Sequence, residues 1–297
     1  MTEAEFEREL KQLARTHTRV ITVVNNVDGE FHGNPAQSSN KSRLERIFVS
    51  VEPCNKELAE LRAIKQPAEL ERLQKAIDIS VRAFANVREA WPGYRAEYEI
   101  EADFTREFRR RNTTHAYAPI VAGGPRACTL HYGANEHKIK AREAVVIDIG
   151  ARFMGYAADI TRTYSRQPSK RLLHVHGAVA TAQREIIALL RPDLTVQDYL
   201  QHVDAIMKDA LGSLGLISSP TDTAGYRRYF PHAVSHGLGV DVHDSLGAPC
   251  YFKQGMVLTV APGIYIPEES IGVRIEDDIL VTRAGAENLS RSLSTDL

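Results

Sequence analysis

The sequence predicts an α+β fold in which helices pack on one antiparallel sheet and the same arrangement occurs twice. From residue 66 onward, apolar positions at helical spacing alternate with apolar strand-like runs in the order helix, helix, hairpin, helix, helix, hairpin. Each hairpin also carries acidic residues at matching places. A pseudo-twofold internal duplication is therefore the favoured interpretation, and chance recurrence of common elements is the alternative.

The first 62 residues have a different pattern from the remainder. They predict a helix over about 3–14, a strand over 20–24, a polar loop over 26–42 and a second strand over 47–51. These elements are too few to bury a strong core of their own. We expect a small N-terminal subdomain over residues 1–62, reduced or truncated, ahead of the main domain over 63–297.

The elements of the main domain are predicted from the spacing of apolar residues and from the proline and glycine residues that end helices. A helix starting at Pro67 carries an apolar face up to Trp91 and ends at Pro92 and Gly93. The later helices are predicted over 96–111, 169–190 and 196–214. Strands are predicted over 119–122, then as a hairpin over 144–150 and 156–164, and as a second hairpin over 256–266 and 271–282.

Composition excludes several classes of partner. The net charge is −1 and the pI is about 6.8. This charge gives no electrostatic reason to expect binding to nucleic acid or to an anionic membrane. No apolar run approaches the roughly 18 residues that span a bilayer. Three widely spaced cysteines argue against a disulfide framework and favour a reducing, cytoplasmic environment.

Two aspartates lie at nearly equivalent places on the first hairpin. Asp148 is embedded in an apolar strand, and Asp159 lies on the partner strand with the turn predicted at residues 152–155. The two carboxylates should be nearly opposed and on one face. Buried carboxylates at that distance repel each other unless a cation lies between them. The hairpin therefore predicts a metal site.

The second hairpin repeats this layout with one difference. Glu276 takes the place of Asp159, and the turn is predicted at residues 267–270. The place of Asp148 is taken by Ala261, so a methyl group stands where the pattern requires a second carboxylate. One ligand is missing from a defined position.

A histidine-rich segment separates the two hairpins. His232, His236 and His243 occur within twelve residues of a glycine-bearing stretch, and His131 follows an earlier glycine-rich turn. A lone histidine is usually structural, but three in this context favour a site. Carboxylates with one imidazole suit Mn²⁺, Co²⁺ or Zn²⁺, and two such ions can acidify a bridging water.

Four motifs together resemble the aminopeptidase P and prolidase family. They are Gly155-Tyr-Ala-Ala-Asp-Ile-Thr-Arg-Thr163, Ser235-His-Gly-Leu-Gly-Val-Asp-Val-His-Asp244, Pro262-Gly-Ile-Tyr265 and Arg274-Ile-Glu-Asp-Asp278. The resemblance covers about residues 60–297. It implies the pita-bread metallopeptidase fold, a dinuclear and most often dimanganese site, a homo-oligomer such as a dimer, and cleavage before a proline in second position by a metal-activated bridging hydroxide.

The resemblance also implies a role for each matched residue. Asp148 would chelate one metal ion, Asp159 and Glu276 would bridge both ions, and His236 would bind the second. His131 and His243 would contact the substrate around the scissile carbonyl. The remaining matched residues would line or support the pocket for proline or orient the ligands: Tyr117, His232, Arg274 and Tyr265.

In the family, position 261 is a glutamate that ligates the metal on the histidine side and is the proposed proton shuttle. With Ala261 we expect that metal to bind more weakly and the general base to be missing. The change is either an inactivating Glu→Ala substitution in a competent enzyme or the mark of a natural pseudoenzyme that binds peptide. The other matched positions are intact, which favours a single recent change.

Other members of the same fold remain as alternatives. Methionine aminopeptidase shares the fold and a similar arrangement of metal ligands, but the histidine spacing resembles the proline-specific branch more closely. Within that branch, prolidase cleaves only dipeptides, whereas aminopeptidase P accepts longer chains; the Ser235-to-Gly239 motif favours the latter. A metal-free member of the creatine amidinohydrolase type would not need the carboxylate set that is present.

Overall fold

A computed structural model describes residues 1–23 and 35–297, with the backbone alone for residues 35–38. Contacts divide the chain into two compact units, Met1–Leu61 and Arg62–Leu297. The interpretation of residues 1–62 as a reduced or truncated subdomain stays a prediction.

The first unit consists of short helices and two parallel strands. Its elements are α1 (Glu3–Leu13), β1 (Arg19–Thr22), α2 (Pro35–Glu45), β2 (Ser50–Pro53) and most of α3 (Asn55–Ala63). The small buried cluster contains Leu10, Leu44 and Phe48. Residues 24–34 of the polar loop expected over 26–42 lie outside the described residues. From Pro35 onward that expectation is wrong, because Pro35 begins α2 and proline suits a first helical turn.

The second unit contains the four long helices that periodicity predicts. Its helices are α4 (Pro67–Ala90), α5 (Glu97–Arg110), α6 (Lys170–Leu189), α7 (Val196–Ser213) and the short α8 (Thr223–Tyr229). Its strands are β3 (Thr114–His115), β4 (Ile120–Gly123), β5 (Val145–Asp148), β6 (Ala151–Phe153), β7 (Tyr156–Ala157), β8 (Thr161–Tyr164), β9 (Val257–Val260), β10 (Gly263–Ile266), β11 (Ile271–Arg274), β12 (Asp277–Thr282) and β13 (Gly285–Asn288).

Each pair of long helices covers its own set of strands. Ile77, Phe84 and Phe104 belong to a buried cluster that joins α4 and α5 to β5, β6 and β8, and the rings of Phe84 and Phe104 lie 4.8 Å apart. A second cluster joins α6 and α7 to β9, β10 and β11. Burial of these apolar faces is the main force that holds the helices on the sheet.

The first hairpin is divided where the sequence predicts two continuous strands. Strands β5 and β8 pair in the three-stranded sheet β4-β5-β8, whereas β6 and β7 pair in the sheet β3-β6-β7. The break falls at Gly150, where a Cβ would lie 1.7 Å from the carbonyl oxygen of Ala158. The predicted turn is present: Met154 and Gly155 have positive φ between β6 and β7.

The register corrects one detail of the expected pairing. Asp148 lies opposite Thr161, so Asp159 is offset by two residues from the near-opposed position. In the second hairpin, Asp277 pairs with Val260, and the same register continued by one residue places Glu276 opposite Ala261, as expected. An isolated bridge between Thr161 and Glu276 joins the two hairpins.

Within residues 1–23 and 35–297, no helix combines the length and the apolar character that crossing a membrane requires.

Candidate metal centre

Three buried carboxylates meet where the two hairpins join. Asp148, Asp159 and Glu276 each offer an oxygen, and these oxygens all lie within 4.8 Å of one another. Burial, followed by the charge of Asp148, raises the pKa of Glu276 to about 8. Burial and the neighbouring Glu276 raise the pKa of Asp159 well above its usual range. The cluster therefore needs protons or cations to balance its charge.

The hydroxyl of Tyr117 lies between two of these carboxylates. It is 2.6 Å from Oδ1 of Asp148 and 2.7 Å from Oδ1 of Asp159. One hydroxyl carries one proton, so it donates to one carboxylate at a time, and the second short contact fits a carboxyl group that holds a proton. The raised pKa of Asp159 agrees with that interpretation. Tyr117 thus fixes the spacing of the two aspartates.

Arg274 and Thr161 hold the cluster from the side of the second hairpin. The guanidinium of Arg274 donates to Oδ2 of Asp148 at 2.7 Å and to the hydroxyl of Tyr265 at 3.0 Å. The hydroxyl of Thr161 donates to Oε2 of Glu276 at 2.9 Å. Because β8 supplies Thr161 and β11 supplies Arg274, both halves of the fold orient the same carboxylates.

Two histidines complete the centre. Nε2 of His236 lies 3.5 Å from Oδ2 of Asp159 and 3.8 Å from Oε1 of Glu276. The His236 and His243 rings lie 4.0 Å apart, and both have a nitrogen within 4.8 Å of an Asp159 oxygen. Burial, then His243, lowers the pKa of His236 to about 4. A neutral imidazole with a free lone pair is the form that binds metal.

His232 and Tyr265 form a second layer behind the carboxylates. Nε2 of His232 lies 2.9 Å from the hydroxyl of Tyr265, which also accepts a hydrogen bond from Arg274. Burial is the main cause that lowers the pKa of His232 to about 4. Tyr117 and Arg274 thus contact the carboxylates directly, whereas Tyr265 contacts Arg274 and His232.

His131 approaches the centre from a separate segment. Its side chain is exposed, and after burial it is a smaller cause of the lowered pKa of both His232 and His243, so the three imidazoles lie within electrostatic range. The fully buried Glu97 at the start of α5 joins this segment to that helix, and no local motif predicts this role. Its carboxylate accepts hydrogen bonds from the backbone of Gly123 and His137 and from the side chains of Arg126 and Tyr132.

Position 261 lies at this centre but supplies no ligand. The backbone N–H of Ala261 donates to the carbonyl of Val234 at 2.8 Å, and the N–H of Thr259 donates to the carbonyl of His236 at 2.9 Å. These bonds align the strand with the histidine segment, and Ala261 is buried. Its methyl group cannot coordinate a cation.

The donor set fits divalent metal ions. Among the described residues, two groups satisfy the spacing: Asp148, Asp159 and Glu276, and Asp159, His236 and His243. They share Asp159, so two ions bound to these groups would be neighbours. Oxygen-rich and imidazole ligands suit Mn²⁺, Co²⁺ or Zn²⁺. His243, expected to contact substrate, is thus also within reach of a metal ion.

Fold and centre together agree with the pita-bread fold of metallopeptidase family M24. The family model for metallopeptidase family M24 matches residues 71–283, and the chain belongs to that family. It is 36% identical over 263 residues to Xaa-Pro aminopeptidase of Haemophilus influenzae, covering 81% of this chain and 60% of the relative. It is 35% identical over 262 residues to Xaa-Pro aminopeptidase of Escherichia coli, covering 79% and 57%.

Solved structures agree with the assignment of the family. Proline aminopeptidase P II from Yersinia pestis has a TM-score of 0.84 and 31% identity over 99% of this chain and 73% of its own. A glutamate-to-alanine variant of Escherichia coli aminopeptidase P in complex with substrate has a TM-score of 0.84 and 30% identity, covering 99% and 72%. The chain spans about 60% of the length of the Haemophilus influenzae and Escherichia coli relatives.

Proposed function

We propose that this chain has the architecture of a dinuclear Xaa-Pro aminopeptidase and that Ala261 strongly impairs its turnover. The observation that carries the proposal is the meeting of Asp148, Asp159 and Glu276 with a neutral His236 at one buried point. Similarity to Xaa-Pro aminopeptidases gives the substrate class: a peptide whose second residue is proline.

One set of residues would hold the metal ions, and another would contact the substrate. Asp148, Asp159, Glu276 and His236 would hold two divalent ions, most often Mn²⁺ in the family that the motifs resemble. Bound ions would supply Lewis acidity that activates water and polarises the scissile carbonyl. His131 and His243 would contact that carbonyl, and His131 is exposed at the approach to the centre.

Tyr117, Arg274 and Tyr265 keep the carboxylates in place while substrate binds. Tyr117 retains its proton because burial and the charge of Asp148 raise its pKa well above the usual range. Arg274 keeps one oxygen of Asp148 fixed at 2.7 Å. Nε2 of His232 contacts the hydroxyl of Tyr265 and helps to hold it in place. Loss of any of these contacts would loosen the spacing on which catalysis depends.

Ala261 removes both a negative charge and a base from this arrangement. Three carboxylates would then balance two divalent ions, and a second ion would be held by His236 and by oxygens shared with the first, without a carboxylate from position 261. We expect that ion to bind weakly. No carboxylate remains at position 261 to take the proton from the attacking water, so turnover should fall by orders of magnitude.

Restoring the carboxylate tests the proposal. Ala261→Glu should raise cleavage of an Ala-Pro-Ala tripeptide by at least 10³-fold in Mn²⁺, because it supplies the missing ligand and base. Ala261→Gln is the matched control, since it has the same size without the charge, and it should stay close to the unmodified chain. An Ala261→Glu protein that folds, binds Mn²⁺ and remains inert would contradict the peptidase assignment.

The Ala261→Glu protein also distinguishes an Xaa-Pro aminopeptidase from a prolidase. An aminopeptidase cleaves Ala-Pro-Ala at least as well as the dipeptide Ala-Pro, whereas a prolidase cleaves only the dipeptide. The third possibility, a pseudoenzyme, predicts that the unmodified chain binds the tripeptide and that Ala261→Glu gains little activity. A cytoplasmic location, a dimeric state and the domain division at residue 62 stay predictions beside this one.

A further inference from the structure

The two histidines of the centre are carried by one tight loop. Residues 236–244, called here the histidine loop, begin with His236 and end with His243 and Asp244. The N–H of Asp244 donates to the carbonyl of Gly237 at 2.8 Å, which closes the loop on itself. The backbone that directly follows His243 is therefore fixed against Gly237.

Glycines leave room for this closure. A Cβ on Gly237 would lie 2.3 Å from the carbonyl oxygen of Asp244. A Cβ on Gly239 would lie 2.1 Å from Oδ2 of Asp244 and 2.8 Å from Nζ of Lys65. The Asp244 carboxylate and the Lys65 ammonium thus occupy the space that side chains would take. The loop is built around this pair.

Lys65 and Asp244 form a buried ion pair far from each other in sequence. Nζ of Lys65 lies 3.2 Å from Oδ2 of Asp244, and the two side chains are 1% and 2% exposed. The N–H of Lys65 donates to the carbonyl of Gly255 at 2.8 Å, which fixes the backbone from which the ammonium extends. A buried carboxylate that loses its partner is strongly unfavourable.

The middle of the histidine loop is held separately. Arg152 on β6 donates to the carbonyl of Val240 at 2.7 Å, and the N–H of Ala157 on β7 donates to the carbonyl of Gly239 at 2.9 Å. Arg62 reaches Asp241 at 2.6 Å from the exposed side and also lies 3.5 Å from Oδ1 of Asp244. Lys65, whose side chain is 1% exposed, is thus the buried one of two cations at the end of the loop at which His243 lies.

We propose that Lys65 is a positioning residue that acts through Asp244 to fix His243, and with it the spacing to His236. Lys65 lies just before α4 and matches none of the motifs that carry the family resemblance. Among the described residues, its ammonium donates to the carbonyl of Arg62 and to the carboxylate of Asp244, and neither belongs to the candidate metal ligands. Its effect on substrate must therefore pass through His243, and this part of the inference rests on the proposed peptidase function.

The first experiment uses neither metal nor peptide. In metal-free protein, Lys65→Met should shift the His243 and His236 imidazole NMR signals and leave exposed His202 on α7 unchanged. Signals are assigned with His243→Gln. Arg171→Met, which breaks the partly exposed Arg171–Glu269 pair elsewhere, is the matched control and should move neither histidine. Unmoved His243 signals in folded Lys65→Met would overturn the proposal even if the peptidase assignment also failed.

The second experiment measures binding of Ala-Pro-Ala to the Mn²⁺-saturated chain by calorimetry. Lys65→Met should weaken binding about tenfold when His243 is present and leave it unchanged in the His243→Ala background. Lys65→Arg should recover most of the loss, because it keeps the charge. An equal loss in both backgrounds would show a merely structural role and overturn the proposal. If Lys65→Met does not fold, Asp244→Asn replaces it with the same expected outcomes.

Discussion

At the residue scale, burial sets the protonation of the centre as much as neighbouring charges do. It is the largest cause that lowers the pKa of His232 and His236 to about 4 and raises that of Glu276 to about 8. Near neutral pH the imidazoles are neutral, and the carboxyl cluster holds protons that a cation would displace. The same burial therefore prepares both kinds of ligand for metal.

His232 gives a pH prediction with a definite sign. Its folded pKa is about 4, below the ordinary 6.5, so between these values the folded protein binds fewer protons than the unfolded chain. Its contribution to stability is complete above pH 6.5 and is lost as the pH falls towards 4. Urea unfolding across this window should show a shallower loss of stability in His232→Gln than in the unmodified chain. The same dependence of unfolding free energy on pH in both proteins would contradict this role of His232.

Single residues also show what the sequence could and could not reveal about the site. Asp148, Asp159, Glu276 and His236 were predictable because each lies in a local motif beside turns and apolar strands. Lys65, by contrast, meets Asp244 across 179 positions of sequence, and its local context is an ordinary helix start. Pairs of that kind become visible only when the fold brings distant segments together.

At the scale of elements, α1 and the four long periodic helices were predictable, whereas the short helices α2, α3 and α8 were not. The expected bounds of α4, α5, α6 and α7 lie within one residue or so of the observed ones, since each has several turns of one apolar face. Helices α3 and α8 have too few turns for such a pattern. The division of the first hairpin depends on a tertiary contact at Gly150, which no local rule encodes.

Gly150 lies where the first hairpin divides between the two sheets, and a substitution there tests its role. Gly150→Ala would place a methyl group 1.7 Å from the backbone oxygen of Ala158, so the β5–β6 connection would have to move. We expect a loss of more than about 3 kcal/mol in the free energy of unfolding. Gly177→Ala, with open space around a glycine inside α6, should instead stabilise by about 0.5–1 kcal/mol. Similar stabilities in urea would refute the role of Gly150.

Arg162 links the two hairpins to the C-terminal segment. Its buried guanidinium donates to the carbonyls of Glu276 and Leu293 and to the carboxylate of Asp277 at 2.7 Å. Arg162→Met should lower the free energy of unfolding by about 3–5 kcal/mol, because the buried Asp277 loses its cation. Arg171→Met, at a partly exposed pair, should cost no more than about 1 kcal/mol. Equal losses on chemical unfolding would argue against this role.

At the scale of the whole molecule, the centre draws ligands from both halves of the duplicated fold. Asp148 and Asp159 come from the first hairpin region, whereas His236 and Glu276 come from the segments of the second. Backbone hydrogen bonds between Thr161 and Glu276 join the halves at the same point. An ion bound there would crosslink the halves, so metal binding should stabilise the fold as a unit.

Metal should therefore raise the thermal stability of the chain. At an ion concentration about 100 times the dissociation constant, binding to the folded state alone adds about 2.7 kcal/mol. We expect Mn²⁺ to raise the unfolding midpoint and excess chelator to reverse the shift. Asp159→Asn should abolish most of it, because Asp159 belongs to both ligand groups. Ala261→Glu should enlarge the shift by strengthening the second ion, whereas Ala261→Gln should not. Identical midpoints with and without Mn²⁺ in all four proteins would mean that the buried carboxylates balance their charge with protons alone.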